Sequence, residues 1–269
     1  VKTAMNDLLN GNSSKGVAKL SDDKIIGLST LGAYYYNENY SRYGASSSQD
    51  GAILVPARRL DAVVNGITQR QLLIDTVNSK LVAKTATPTS ISYAETVSYL
   101  MGTKTSSNGF KYYSTIYSKK NLGTSSETYD SPTSLTQTTD GQLCSGQGIY
   151  VLTDGEPNED ASSAPTYMKQ ALGTKGAAFS CNGSSWDCIF KMSQTLIDKD
   201  ANPKGLIFKT AVVGFGSGFS GLSSYNPSKT QAENIAALGS LNTDAKRAAY
   251  WGIIGDGGWY SGSSSSDVV

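Results

Sequence analysis

Gly148-Ile149-Tyr150-Val151-Leu152-Thr153-Asp154-Gly155-Glu156-Pro157-Asn158 is the stretch that decides the fold. Its first six residues form a short, nearly continuous apolar run, as expected of a strand covered on both faces. The run stops abruptly at Asp154-Gly155, where turn residues take over. A second run of this kind spans Leu206–Phe215, Leu-Ile-Phe-Lys-Thr-Ala-Val-Val-Gly-Phe. Helical patterns separate the two, at Trp186–Ile197, and follow the second, at Gln231–Leu238. Strands alternating with helices predict an α/β fold, a mostly parallel sheet with helices on both faces. In such sheets ligands bind beyond the carboxyl ends of the strands. Asp154 stands there, one residue past its strand.

The rest of the chain extends this reading. Lys24–Leu31 reads as a buried strand and 37–51 as a polar loop. Ala57–Val64 looks helical and stops at Asn65-Gly66. Thr68 and Gln71 form a capping-box pattern ahead of a helix carrying Leu73, Ile74, Val77 and Leu81. A loop with Pro88 leads to a helix over Ile91–Met101. Residues 102–147 are rich in Ser, Thr, Gly and Tyr and read as a long insertion, with a hairpin around Lys111–Tyr117. An insertion of this length near a binding edge is the natural place for specificity. Ala249–Ile254 reads as a short strand, ahead of the Gly/Ser-rich 255–266. No internal repeat is visible, and 1–269 is read as one domain.

Val1, Met5, Leu8 and Leu9 fall at helical spacing, so the chain starts as though inside an amphipathic helix. The expectation is a fragment; these residues carry neither the basic nor the apolar part of a signal peptide.

Composition excludes several classes of function. The 269 residues include no His, so Ser-His-Asp and Cys-His catalysis and His-containing zinc sites cannot be built from this chain. A net charge of +1 gives no electrostatic case for nucleic acid or an anionic membrane. No run of about 18 apolar residues is present to span a bilayer. Of three cysteines, Cys181 and Cys188 bracket a short polar loop that could close as a disulfide, and Cys144 is left over. Together with low charge and polar loops, this points to an exported chain.

The residues that carry chemistry are Thr87, in Thr87-Pro88-Thr89, and Asp154. Each offers an oxygen in a loop at the edge of a core element. A hydroxyl and a carboxylate from separate loops suit a hard divalent cation, which keeps positions open for water or a partner's carboxylate. Gly155 lets the backbone turn tightly beside them. Glu156 reads as a solvated loop residue. Asp198–Lys209 imitates a calcium loop, but Pro203 occupies the glycine position, so it reads as a helix-ending turn. Gly214–Gly218 lacks nucleotide-loop spacing and reads as a strand exit. The Tyr34–Tyr36 and Tyr112–Tyr113 clusters suit either core packing or recognition.

Thr-Pro-Thr before a helix, then an apolar strand ending in Thr-Asp-Gly, resembles the von Willebrand factor A domain. That family holds a metal ion on three loops. Thr87 matches the second and Asp154 the third, while Thr89 is adjacent and is not the matching ligand. The first loop, Asp-x-Ser-x-Ser, does not occur in this chain. The resemblance implies that it lies upstream of Val1, with the central strand. Tyr129-Asp130-Ser131-Pro132, Cys144, Leu152–Asn158, Ser98–Gly102, Trp186-Asp187-Cys188-Ile189, Gly255–Tyr260 and Ser265–Val269 together resemble the PilC/PilY group of type IV pilus-tip adhesins.

That resemblance implies a Rossmann-type sheet and a non-enzymatic adhesion and pilus-biogenesis module. It would bind Mg²⁺ or Mn²⁺ through Thr87 and Asp154. Its partners would be a host-surface or matrix protein and minor pilins. Its place would be extracellular, at the pilus tip or bacterial cell surface. The alternatives are a metal-independent scaffold docking minor pilins, and a surface hydrolase built on Asp154 and Glu156.

Overall fold

The computed structural model describes residues 1–31, 36–37, 42–43, 50–81, 87–133, 146–157 and 162–262; for 36–37 and 42–43 it describes the backbone alone. Tyr34, Tyr35, Cys144 and the closing 265–269 lie outside the described residues. The fold is mixed α/β. Helix α1 (Lys2–Asn10) is followed by strands β1 (Ile25–Thr30) and β2 (Ala52–Arg59). Helices α2 (Gln69–Ser79) and α3 (Thr89–Met101) come next, then a small hairpin of β3 (Lys119–Lys120) and β4 (Thr128–Tyr129). The second half runs β5 (Gln147–Thr153), α4 (Ala164–Ala171), α5 (Ser185–Ile197) and β6 (Phe208–Gly214). It ends with α6 (Gln231–Leu238), α7 (Asp244–Ile254) and β7 (Asp256–Ser261).

Strands β5, β6 and β7 form a parallel sheet in the order β7-β6-β5. Parallel neighbours need helical crossovers, and α4–α5 and α6–α7 supply them. Alternation along the strands sorts the side chains by face. Val151, Phe208, Val212 and Trp259 join the main core with α3, α4, α5 and α7. Leu152 and Val213 face the other way, against Ala4 of α1. Helices therefore lie on both faces. The antiparallel pair β1–β2 is a separate ladder, packed against α2 and α1 through Leu9, Leu54 and Leu73. Among the described residues the two ladders do not join into one Rossmann-type sheet. No described helix is long and apolar enough to cross a membrane.

Caps account for several helix starts. Ser184 accepts a hydrogen bond from the Asp187 amide, Thr243 accepts from Lys246, and Thr230 with Glu233 forms a full capping box. Thr68 caps α2 through the Gln71 amide. Cys181 and Cys188 are joined as a disulfide at the entrance to α5.

Three expectations are corrected. Ala57–Val64 is not helical: Ala57–Arg59 ends β2, and Val63–Val64 pairs with Ile67–Thr68 around Asn65-Gly66. Both turn residues have positive φ, the signature of a two-residue hairpin flanked by β-branched residues. Pro56 sits where the β1–β2 register shifts, and Gly27 opposite leaves room for Ala57. Ala249–Ile254 is the second half of α7, buried on most sides and therefore without a visible period. The last strand is instead the Gly-rich Asp256–Ser261, whose Gly257 lies directly against the Thr210 and Ala211 backbone. In the insertion, Gly109–Tyr113 and Ile116–Ser118 are helical turns, and the hairpin falls at Lys119–Lys120 and Thr128–Tyr129.

The core also contains a buried polar knot. The Tyr93 hydroxyl meets Thr210 Oγ1 at 2.7 Å and Ser193 Oγ at 3.0 Å. Trp251 Nε1 donates to the same Ser193 oxygen at 2.6 Å. These contacts tie α3, α5, α7 and β6 together at one point. Ser193→Ala strands the indole N–H in the buried core. It is expected to cost about 1–3 kcal/mol, read as a lower urea midpoint with an unchanged slope.

Candidate functional site

Topology places the two expected ligands at one end of the molecule. α4 follows β5 and runs back from the carboxyl end of the sheet. The Thr103 hydroxyl donates to the Ala171 carbonyl at 2.8 Å, which joins the C-terminal ends of α3 and α4. The two helices pack along their lengths, so α3 runs parallel to α4. Its N-terminus therefore also lies at the carboxyl end of the sheet. Thr87 immediately precedes that N-terminus, and Asp154 immediately follows β5.

The strand exits are pinned to one another there. The Phe215 amide donates to the Thr153 carbonyl at 2.9 Å, and the Gly262 amide to the Gly214 carbonyl at 2.8 Å. The Gly155 amide donates to Thr153 Oγ1 at 3.1 Å, closing a tight turn below Asp154. Gly155 has φ 113° and packs on the Phe219 ring. That ring also covers Gly214, where a Cβ would stand inside it. Phe219 thus plugs the sheet beneath the exits of β5 and β6, leaving Asp154 exposed at the rim.

Thr87 is half-buried, and its carbonyl accepts the Thr89 amide at 2.9 Å. Thr89 itself is buried inside the first turn of α3. Glu156 is exposed beside Asp154. Ser217–Phe219 forms a single helical turn at the exit of β6.

The donors present, a carboxylate and a hydroxyl, fit a hard divalent cation in kind. Among the described residues no group of three or more acidic or cysteine side chains gathers into a metal cluster. A cation here would take its remaining positions from water or from a partner. A separate small cleft of about 60 Å³ opens between the end of β1 and β5. Ser29, Leu31, Ser92, Thr96, Ile149 and Val151 line it, with no charged side chain, so it is unsuited to a cation.

The most perturbed carboxyl lies elsewhere, and sequence reasoning passed over it. Glu95, in the middle of α3, is 1% exposed. Its Oε1 accepts the Tyr129 hydroxyl at 2.6 Å, and its Oε2 accepts Thr105 at 2.7 Å and Ser107. Burial pushes its pKa from 4.5 up to about 7, against the opposing effect of those hydroxyls. Asp50 is also buried, and burial raises its pKa as well. The available signal was the position of Glu95, four residues after Ile91 on the apolar side of the helix.

No family model, curated protein or solved structure matches this chain.

The plugged rim generates a paired expectation. Gly214→Ala must displace the Phe219 ring and should cost about 1–3 kcal/mol, with an altered near-UV signal from Trp259 beneath it. Gly146→Ala, which meets nothing within 4 Å, should stay within about 0.5 kcal/mol of the parent. Equal thermal denaturation midpoints for the two variants would remove the plug from the account.

Proposed function

We propose that this chain is a non-enzymatic adhesion module of a type IV pilus tip that also serves pilus biogenesis. It contacts protein partners through Mg²⁺ or Mn²⁺ carried by Asp154 and Thr87. What supports the reading is that Thr87, ahead of α3, and Asp154, directly after β5, belong to separate loops on the side of the carboxyl end of the parallel sheet. The ordered motifs that resemble the von Willebrand A domain give it its particular form. The disulfide between Cys181 and Cys188 suits an extracellular address.

The chain's own residues do three things in this reading. Asp154 presents an exposed carboxylate from a turn that Gly155 and Thr153 hold rigid. Thr87 contributes a hydroxyl from the start of a helix whose position is set deep in the core. Phe219, itself buried, packs beneath the rim against Gly155 and Gly214. A bound cation supplies open coordination positions to which a partner's carboxylate can attach. Hydrolysis is disfavoured because Asp154 and Glu156 lie two residues apart on one exposed turn, and opposed carboxylates are needed to flank a scissile bond.

Calorimetric titration with Mn²⁺ and Mg²⁺ tests the reading. Saturable binding should be abolished in Asp154→Ala and weakened about tenfold or more in Thr87→Ala. Absence of binding in the parent chain, or binding unchanged in Asp154→Ala, overturns the metal role. Minor-pilin docking that survives chelation and Asp154→Ala would replace it with the metal-independent scaffold.

A further inference from the structure

The turn at 105–109 is held from two sides by buried carboxyl groups. Glu95 receives hydrogen bonds from the Thr105 and Ser107 hydroxyls, on the side of α3. Asp50, just ahead of β2, receives the amides of Asn108 and Gly109 and the Asn108 side chain. Ser107 Oγ in turn accepts the Phe110 amide at 3.2 Å, which starts the helical turn Gly109–Tyr113. A directed chain reaches Glu95 from the opposite side. The Ile53 amide donates to Ser114 Oγ at 2.9 Å, Ser114 meets the Tyr129 hydroxyl at 2.6 Å, and Tyr129 donates to Glu95. The first half of the insertion is therefore organised around a single carboxyl on α3.

We propose that Glu95 and Asp50 form a pH-sensitive latch that keeps residues 105–114 docked on α3 at acidic pH and loosens them as the medium becomes alkaline. The groups facing the pair show why charge is poorly tolerated. From the insertion come Lys111, Lys119 and Tyr129; from α4 comes Tyr167. Lys119 is itself fully buried, lies 4.8 Å over the Phe110 ring, and is engaged by Glu127 at 3.6 Å. Burial pushes its pKa down, and its ammonium is already engaged by Glu127. The Asp50 charge also adds to what burial does at Glu95, so ionising both is costly.

The sign follows from linkage. The folded-state pKa of Glu95, about 7, lies above its ordinary value of 4.5. Its contribution to stability is therefore complete below 4.5 and is lost as pH rises through about 7. Because its hydrogen bonds reach the 105–114 turn and the hairpin at Tyr129, the loss falls on the insertion before the parallel sheet.

Amide hydrogen exchange on the whole chain, corrected for intrinsic rates, tests the latch. Between about pH 5 and about pH 8 the protection of the Phe110, Lys111 and Ser114 amides should fall about tenfold or more. Val212 and Val213 in β6 should not follow. Glu95→Gln should flatten the dependence, and Asp50→Asn, which removes a charge that raises Glu95, should shift it to lower pH. Carboxyl carbon NMR of the parent chain reads the same property without a variant, with a Glu95 midpoint near 7 expected. Protection that is flat with pH, a Glu95 midpoint near its ordinary value, or pH dependence that persists in Glu95→Gln would each overturn the proposal.

Discussion

A hydroxyl at the centre of the core sets the position of everything at the rim. Tyr93 reaches from α3 across the helix layer to Thr210 on β6, and shares Ser193 with the indole of Trp251. Its ring also stands edge-on to Trp251, with centroids 4.9 Å apart. Apolar packing alone lets a helix slide or rotate at small cost, because dispersion contacts have no direction. A buried hydrogen-bonded chain cannot slide without orphaning donors, at a cost comparable to a sizeable fraction of a domain's net stability. The knot therefore fixes the height and rotation of α3. Thr87 lies six residues before Tyr93, so fixing α3 in the core also fixes where the head of that helix stands relative to the sheet.

The same constraint explains what was legible in the sequence. β5 and β6 were readable from their apolar runs and the turn residues that bound them, although Tyr150 and Lys209 on the α1 side are exposed. α2 was readable from its Thr68 cap and a one-sided apolar stripe, and α5 and α6 from their helical patterning. α7 was not: Ala248, Ala249, Trp251, Ile253 and Ile254 are all buried, so the periodicity that distinguishes helix from strand disappears. β7 was obscured for the opposite reason. Its glycines are there to let its backbone approach β6, and glycine carries no strand signal. Ala57–Val64 holds helix formers such as Ala, Arg and Leu, yet Pro56 and Asn65-Gly66 on either side mark a bulged strand and a tight hairpin.

The candidate site was legible as residue types and not as a completed constellation. Asp154 declared itself by its place one step past a buried strand, and Thr87 by the Pro-containing loop ahead of a helix. Glu95 did not declare itself, because its partners arrive from 105, 107 and 129, beyond any local window. Thr105, Ser107 and Tyr129 read in sequence as members of a polar, aperiodic insertion. In the fold they satisfy the one carboxyl that α3 turns inward, and Phe110 and Tyr129 bury their rings against Tyr99 and Ile53. Polar composition alone therefore misjudged this segment. The hydroxyls of Thr105, Ser107, Ser114 and Tyr129 are buried around that carboxyl, while Ser106 and Thr124–Ser126 face solvent.

The two carboxyl centres differ in the property that decides their chemistry. Asp154 is exposed at the rim, where water screens its charge and a cation or partner can reach it. Glu95 is sealed, so its charge is governed by neighbours within the protein and responds to pH, not to ligands. Both are nevertheless held by the same helix: Glu95 lies within α3, and Thr87 stands at its head. Loosening the insertion at its latch leaves the Tyr93 knot intact, since Thr210, Ser193 and Trp251 belong to the parallel-sheet half of the core. The rim is therefore insulated from the insertion by the knot. A change in the charge of Glu95 alters what residues 105–114 present while leaving the placement of Thr87 and Asp154 as it was.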